Sequence, residues 1–370
     1  MIYLDNAATS PLCEAAKNVI LDNLDEFWNV NSVYEPAMKL RIKVEEAREK
    51  IAELIGAKSA DEIYFTSGAS EANSWIMKYD TILSSNIEHH SVWPDYIARV
   101  DNNGILNPQA VKREMANVYD FSWTGGVDIM SCCYVNNELG VIEPIKDISN
   151  IAHTLHSWSH TDATQALPHI KVDVQDLDVD MLSASAHKFN GPKGVGFLYV
   201  RDDARLFIHP MIYGGSQERH MRGGTTNAVG ILAMAAALED TGNHLDEINE
   251  KVGYLHNKLE EALLNIPGVH SNVTAPDDMR VRGILNLRID GLKGADIVAM
   301  ASQFGIYISS GSACNEGNAT PSHVLKAIGL SDEEALSSIR ISIGRYNTEE
   351  EIDYVCDIFP KIIEQLRRLK

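Results

Sequence analysis

From about residue 40 to about residue 240, short apolar runs alternate with stretches whose apolar positions recur at helical spacing. Leu40, Val44, Ala47, Ile51 and Leu54 make one such stripe, Glu45, Glu46, Arg48 and Glu49 occupy the opposite face, and Gly56 ends the helix. Residues 62–66 read as a strand that runs into Ser67-Gly68-Ala69-Ser70 and a second helix. Residues 128–135 are apolar without alternation, which fits a parallel strand covered on both faces. Further strands are expected at 84–87, 158–161, 181–185 and 195–200, with a helix over 151–156. Strands and helices in alternation build an α/β domain around a mostly parallel sheet.

The texture changes after residue 245. Residues 245–264 read as a long polar helix, a connector, and strands are expected at 284–289 and near Ile306. Residues 339–343 alternate apolar and polar, the mark of a half-exposed strand. Thr348 and Glu351 form a capping box for a last helix, which Pro360 is expected to kink or break. The simplest division is a large domain over 15–245 and a smaller α+β domain from 1–14 and 246–370.

Composition narrows the function classes. With 370 residues and 45% hydrophobic content, the chain can bury a large core. A formal net charge of −20 argues against direct binding of nucleic acid or an anionic membrane, and no apolar run is long enough to span a bilayer. The N-terminus lacks a basic region followed by an apolar core, so no signal peptide is expected. Five cysteines, irregularly spaced and without a C-x-x-C pair, point to free thiols in a reducing cytoplasm and to no metal site.

Several residues could carry chemistry. Lys188, in Ser185-Ala186-His187-Lys188, follows a strand; desolvation at a sheet mouth frees a lysine amine for Schiff-base formation, although a surface lysine reads the same way. Asp162 ends another strand and could hold a ring nitrogen protonated, or simply cap the next helix. Ser67-Gly68-Ala69-Ser70 offers backbone N–H groups at a helix start to a phosphate, or is an ordinary tight turn. Cys314, among small polar residues, is expected on an exposed, mobile loop, whereas Cys132 and Cys133 belong to an apolar strand and Cys13 and Cys356 to structure. His89 could stack on a cofactor and move protons, or serve as a cap or core residue. Arg340 is suited to gripping a carboxylate, or to a surface ion pair.

In order and spacing these pieces resemble the NifS/IscS-like cysteine desulfurases of the class V aminotransferase group. The resemblance runs from Tyr3-Leu4-Asp5-Asn6-Ala7-Ala8-Thr9 through Phe65-Thr66-Ser67-Gly68, Glu88-His89, Asn136-Asn137-Glu138, Asp162-Ala163-Thr164-Gln165 and Ser185-Ala186-His187-Lys188. It ends with Glu218 to Thr225, Ser309 to Cys314 and Ser338 to Arg345. It implies a fold-type-I pyridoxal 5'-phosphate (PLP) transferase with a mainly parallel seven-stranded sheet in its large domain. It implies that Lys188 holds PLP, Asp162 pairs with the pyridine nitrogen, Gln165 with the phenolic oxygen, and His89 stacks on the ring. Ala69, Ser70, Ser185 and His187 would hold the phosphate, and Thr225 would reach the phosphate of a partner subunit in a homodimer. Asn137 would serve both cofactor and substrate, and Arg340 would bind the carboxylate of L-cysteine. Cys314 would take the sulfur as a persulfide for an acceptor protein, as in iron–sulfur cluster assembly. A selenocysteine lyase is the alternative.

Three stretches depart from the family pattern. The segment between Glu71 and Glu88 is short, which implies a truncated helix; Tyr34 and Ala37 replace a histidine and a glycine; and Trp28-Asn29-Val30-Asn31 replaces an expected glycine-asparagine-proline.

Overall fold

A computed structural model describes residues 1–79, 81–112, 127–310, 313–315 and 318–369, with 313–315 and 318–319 as backbone only. Eight strands are needed to place the site: β1 (Ile2–Tyr3), β2 (Ile63–Thr66), β3 (Ile82–Ser85), β4 (Tyr96–Ala98), β5 (Ile129–Cys133), β6 (Trp158–Asp162), β7 (Met181–Ser185) and β8 (Gly196–Val200). Seven of them form one sheet in the order β2-β8-β7-β6-β5-β3-β4. The β7-β6-β5-β3-β4 run is parallel and β8 is antiparallel to both neighbours. Strands β5 and β7 are buried at every residue, as befits parallel-sheet strands whose only polar side chains are small serines.

Helices α1 (Glu14–Asp22), α2 (Glu35–Leu54), α3 (Ala69–Ile76), α4 (Ile145–Thr154) and α5 (Ala228–Asn243) accompany this sheet. The α2 stripe expected from the sequence is buried, and Gly56 follows its C-cap in a left-handed conformation (φ 71°). Helix α3 has only eight residues, matching the short segment that leads to β3.

A second sheet is antiparallel, in the order β12-β15-β10-β9, with β9 (Val269–Ser271), β10 (Ile284–Ile289), β12 (Ser309–Ser310) and β15 (Ser338–Ser342); β11 (Ile306–Tyr307) pairs instead with β1. Helices α6 (Leu245–Leu264), α7 (Gly294–Gln303) and α8 (Glu349–Arg368) pack on it. Its apolar cluster joins Ile2 and Leu4 to side chains from Val252 to Ile363, separate from the two clusters around the large sheet. Among the described residues no helix is long and apolar enough to cross a membrane.

Three expectations are corrected here. Helix α6 is no mere connector, because Val252, Leu255, Leu259 and Leu263 enter the second core. Strand β15 is buried at all five residues, since the N-terminal segment and Asn272 cover its polar face. Helix α8 runs through Pro360 without a break. The proline sits on the exposed face, and burial of Val355, Phe359, Ile362 and Ile363 holds both halves in register.

Candidate active site

The C-terminal ends of parallel strands open onto a common crevice, the usual ligand position in such sheets. Here the ends of β5, β6 and β7, the β2–α3 turn, the N-terminal segment and β15 enclose a cavity of about 640 Å³. That volume lies within the range of small-molecule sites. Lys188, Asp162, Gln165, His89, Asn137, Ala69, Ser70, Ser185, His187 and Arg340 all line it. Thr225 does not; it is exposed and lines an adjoining groove with Ser67, Gly194 and Arg222.

Lys188 leaves β7 on the single turn Ala186–Lys188. Its Nζ donates to the carbonyls of Ala7 (2.5 Å) and Ala8 (2.9 Å). Burial, reinforced by the charge of Arg340 and opposed by Asp162 and Asp5, brings its pKa down to about 8. Asp162 is buried at the end of β6. One carboxylate oxygen accepts from Asn73 Nδ2 (2.7 Å) and the other from the Thr164 backbone N–H (2.9 Å). Gln165 Nε2 also donates to the Ala7 carbonyl (2.7 Å).

His89 opens to the cavity, yet its surroundings remove enough water to hold its pKa below the ordinary value. Its Nδ1 accepts the backbone N–H of Ser91 (3.1 Å), so the neutral ring carries its proton on Nε2. His187 is neutral as well, because burial and the nearby Lys188 and Lys193 pull its pKa down to about 4.

The β2–α3 turn comes unusually close to β8. A side chain at Gly196 would strike the Ala184 carbonyl at 2.3 Å and Gly68 Cα at 2.7 Å. Both positions therefore need glycine. Helix α3 starts here without a side-chain cap, and no described residue takes the N–H of Ala69 or Ser70. On the other side, Arg340 Nη1 donates to the Asn137 carbonyl (3.0 Å) and Nη2 to Asp5 Oδ1 (2.8 Å). Arg340 is buried and Asp5 half-buried, so the ion pair is not an exposed surface one.

The backbone of Cys314 lies in a two-stranded hairpin, β13 (Ala313–Asn315) against β14 (Asn318–Thr320), rather than in a loop. The exposure and mobility expected of its side chain fall outside the described residues. Cys132 and Cys133 are buried; burial pushes the Cys132 thiol up to about 12, and the hydrogen bond with Cys132, together with burial, pushes the Cys133 thiol well up. Cys13 caps α1 through its sulfur, and Cys356 is half-buried on α8. Among the described residues, no group of three or more His, Cys, Asp or Glu side chains is placed to hold a metal ion.

Four contributors had no role assigned from sequence. Asn73 and Ser91 brace Asp162 and His89, and the carbonyls of Ala7 and Ala8 hold Lys188. Asn73 stands four residues after Ala69 on α3, a spacing that places it one turn deeper on the same face.

An aminotransferase class-V family model matches residues 2–355. The chain belongs to the class-V aminotransferase family. Within it, the chain is 38% identical over its full length to a cysteine desulfurase IscS of Dictyoglomus turgidum, covering 96% of that protein. It is 35% identical, again over its full length, to a cysteine desulfurase IscS of Methanosarcina thermophila, covering 93% of it. A solved NifS-like protein from Rickettsia africae superposes with a TM-score of 0.90 at 29% identity, over 98% of this chain and 99% of the other.

Class-V aminotransferases and cysteine desulfurases use PLP, and the cavity fits it. A desolvated lysine amine, a buried carboxylate, and uncapped N–H groups at a helix start answer the aldehyde, ring nitrogen and phosphate of that cofactor.

Proposed function

We propose that this chain is a PLP-dependent cysteine desulfurase that converts L-cysteine to L-alanine and places the sulfur on Cys314 for an acceptor protein. One observation carries the reading: Lys188, Asp162 and Arg340 line a single cavity in a chain of this family. Lys188 would hold the cofactor, Asp162 the pyridine nitrogen and Gln165 the phenolic oxygen. Ala69, Ser70, Ser185 and His187 would hold the phosphate, and His89 would stack on the ring. Bound PLP supplies an electron sink for the substrate Cα.

The chain's own residues do the rest. Arg340 and Asn137 orient the amino acid by its carboxylate. Lys188, whose amine is neutral above about pH 8, moves the proton at the substrate Cα. His89 passes a proton through Nε2. The Cys314 thiolate attacks the substrate sulfur: an S–S bond forms, the Cβ–S bond breaks, and Cβ takes a proton to become the methyl group of alanine. L-cysteine and the Cys314 thiol thus give L-alanine and a Cys314 persulfide, with no external oxidant or reductant. At an ordinary pKa of about 8.5, only a few per cent of the thiol is ionised at pH 7, so thiolate formation limits this attack.

A homodimer, in which Thr225 completes the partner's phosphate site, is part of the same reading. Support comes from the exposed position of Thr225 and from Leu24, Phe27, Val33 and Ile42, apolar side chains left exposed around α1 and α2. The two-domain division, 15–245 against 1–14 and 246–370, is supported by the separate apolar cluster of the second sheet, although residues of the smaller part, among them Ala7, Cys13, Val273, Ile284, Val324 and Leu325, pack with the large sheet. Free thiols at Cys13, Cys132, Cys133 and Cys356 support a cytoplasmic setting.

The decisive experiment pairs two variants. Cys314→Ala is expected to purify with PLP and to release no sulfide from L-cysteine. Lys188→Ala is expected to yield no chain-linked cofactor after borohydride reduction. Full desulfurase activity in Cys314→Ala would remove Cys314 from the reaction, and cofactor fixed to Lys188→Ala would mean another lysine carries it.

A further inference from the structure

Arg340 is held from two directions, and one of its holders has no part in the roles given above. Nη2 donates to Asp5 Oδ1 at 2.8 Å and Nη1 to the Asn137 carbonyl at 3.0 Å, while Nε is buried without a partner. Arg340 lines the cavity, and Asp5 does not. A guanidinium presents five N–H donors in one rigid plane, and a carboxylate takes two of them side by side. Asp5 and Asn137 use two, which leaves donors for a second carboxylate from the cavity side.

Asp5 is itself fixed. The Ser342 N–H donates to the Leu4 carbonyl (2.7 Å), the Asn6 N–H to the Ser342 carbonyl (3.3 Å), and the Ala7 N–H to Ser342 Oγ (2.9 Å). These bonds set Asp5 against β15 beside Arg340, and Tyr3 OH donates to the Asp5 carbonyl (2.9 Å). An arginine left free would have to be ordered on binding, and that ordering weakens affinity.

We infer that Asp5 is a positioning residue for the substrate: it pins Arg340 from outside the cavity, so that the remaining donors of the guanidinium meet the α-carboxylate of the amino acid. The inference rests on the assignment of Arg340 to that carboxylate. Asp5 touches no substrate, and its effect therefore falls on binding. Its charge also offsets that of Arg340 at Lys188, where Arg340 lowers the amine's pKa and Asp162 and Asp5 raise it.

The test measures alanine formation from L-cysteine by PLP-loaded Asp5→Ala, Asp5→Asn and Arg340→Ala. Asp5→Ala is expected to raise KM roughly tenfold with kcat within about twofold, and Asp5→Asn, which keeps an acceptor oxygen, to return KM to within about threefold of the parent. Inhibition by cysteamine, which lacks the carboxylate, stays the same in both Asp5 variants. An unchanged or lowered KM in Asp5→Ala overturns the inference, and so does a parallel loss of cysteamine inhibition, which would mark a general collapse of the site. Arg340→Ala separates the two levels. If it too leaves KM unchanged, the carboxylate assignment fails; if it raises KM while Asp5→Ala does not, only the role of Asp5 fails.

Discussion

Lys188 and the cysteines show how one physical term, the loss of water, produces opposite chemistry. Burial disfavours the charged form of any group. For Lys188 the neutral form is the nucleophile, so burial activates it and sets its pKa near 8. For Cys132 and Cys133 the charged form is the nucleophile; burial silences Cys132, and the hydrogen bond with Cys132 together with burial silences Cys133. Lys188 loses its proton as pH rises through about 8. The rate at which apoprotein takes up PLP is therefore expected to climb about tenfold per pH unit below that value and to level off above it. Stopped-flow absorbance on stripped protein measures this, and a rate still climbing well above pH 9 would show that the amine is not desolvated. Lys188 and Asp162 could be picked out from sequence because each ends a strand, and parallel strands end together. Asp5, Asn73 and the Ala7 and Ala8 carbonyls could not. A backbone carbonyl has no sequence signature, and a short polar side chain reads as solvent-facing until its partner is known.

At the level of elements, period and capping were readable, and coverage was not. The apolar positions of α2 and the Thr348–Glu351 box of α8 appear where their spacing places them, because both depend on residues close in sequence. Strand β15 alternates as a half-exposed strand should, yet its polar face is sealed by a segment more than three hundred residues away in the chain. Pro360 teaches the same lesson in a helix. Propensity predicts a break, and burial along α8 prevents it, leaving the Cys356 carbonyl without its helical donor. Pro360→Ala is thus expected to stabilise the protein by about 1–3 kcal/mol, read as a higher urea midpoint at unchanged slope. A lower midpoint would mean that the proline ring makes packing contacts worth more than the lost hydrogen bond.

For the whole molecule, the mainly parallel sheet followed from strand–helix alternation, and the antiparallel placement of β8 did not, since strand direction leaves no trace in a short apolar run. The exposed apolar residues around α1 and α2 make their own prediction. Phe27 is 79% and Val33 84% exposed, an arrangement that a lone chain with this acidic surface has no reason to keep. Light scattering is expected to give twice the chain mass for the parent, and the single chain mass for Phe27→Asp combined with Val33→Asp. A parent protein that scatters as a single chain at micromolar concentration would rule out the dimer and the role of Thr225 with it.

The N-terminal segment reaches across the full length of the chain. Ile2 pairs with Ile306, Ala7 bonds to Ser342, and the Ala7 and Ala8 carbonyls hold Lys188. During synthesis this segment leaves the ribosome roughly three hundred residues ahead of its β-partners. A nascent chain halted before β11 would own every strand of the large sheet and the Ala7 and Ala8 carbonyls, and still lack the β11 and β15 partners that fix residues 2–7. The hold of this segment on Lys188 is in this way completed only after β15 has been made.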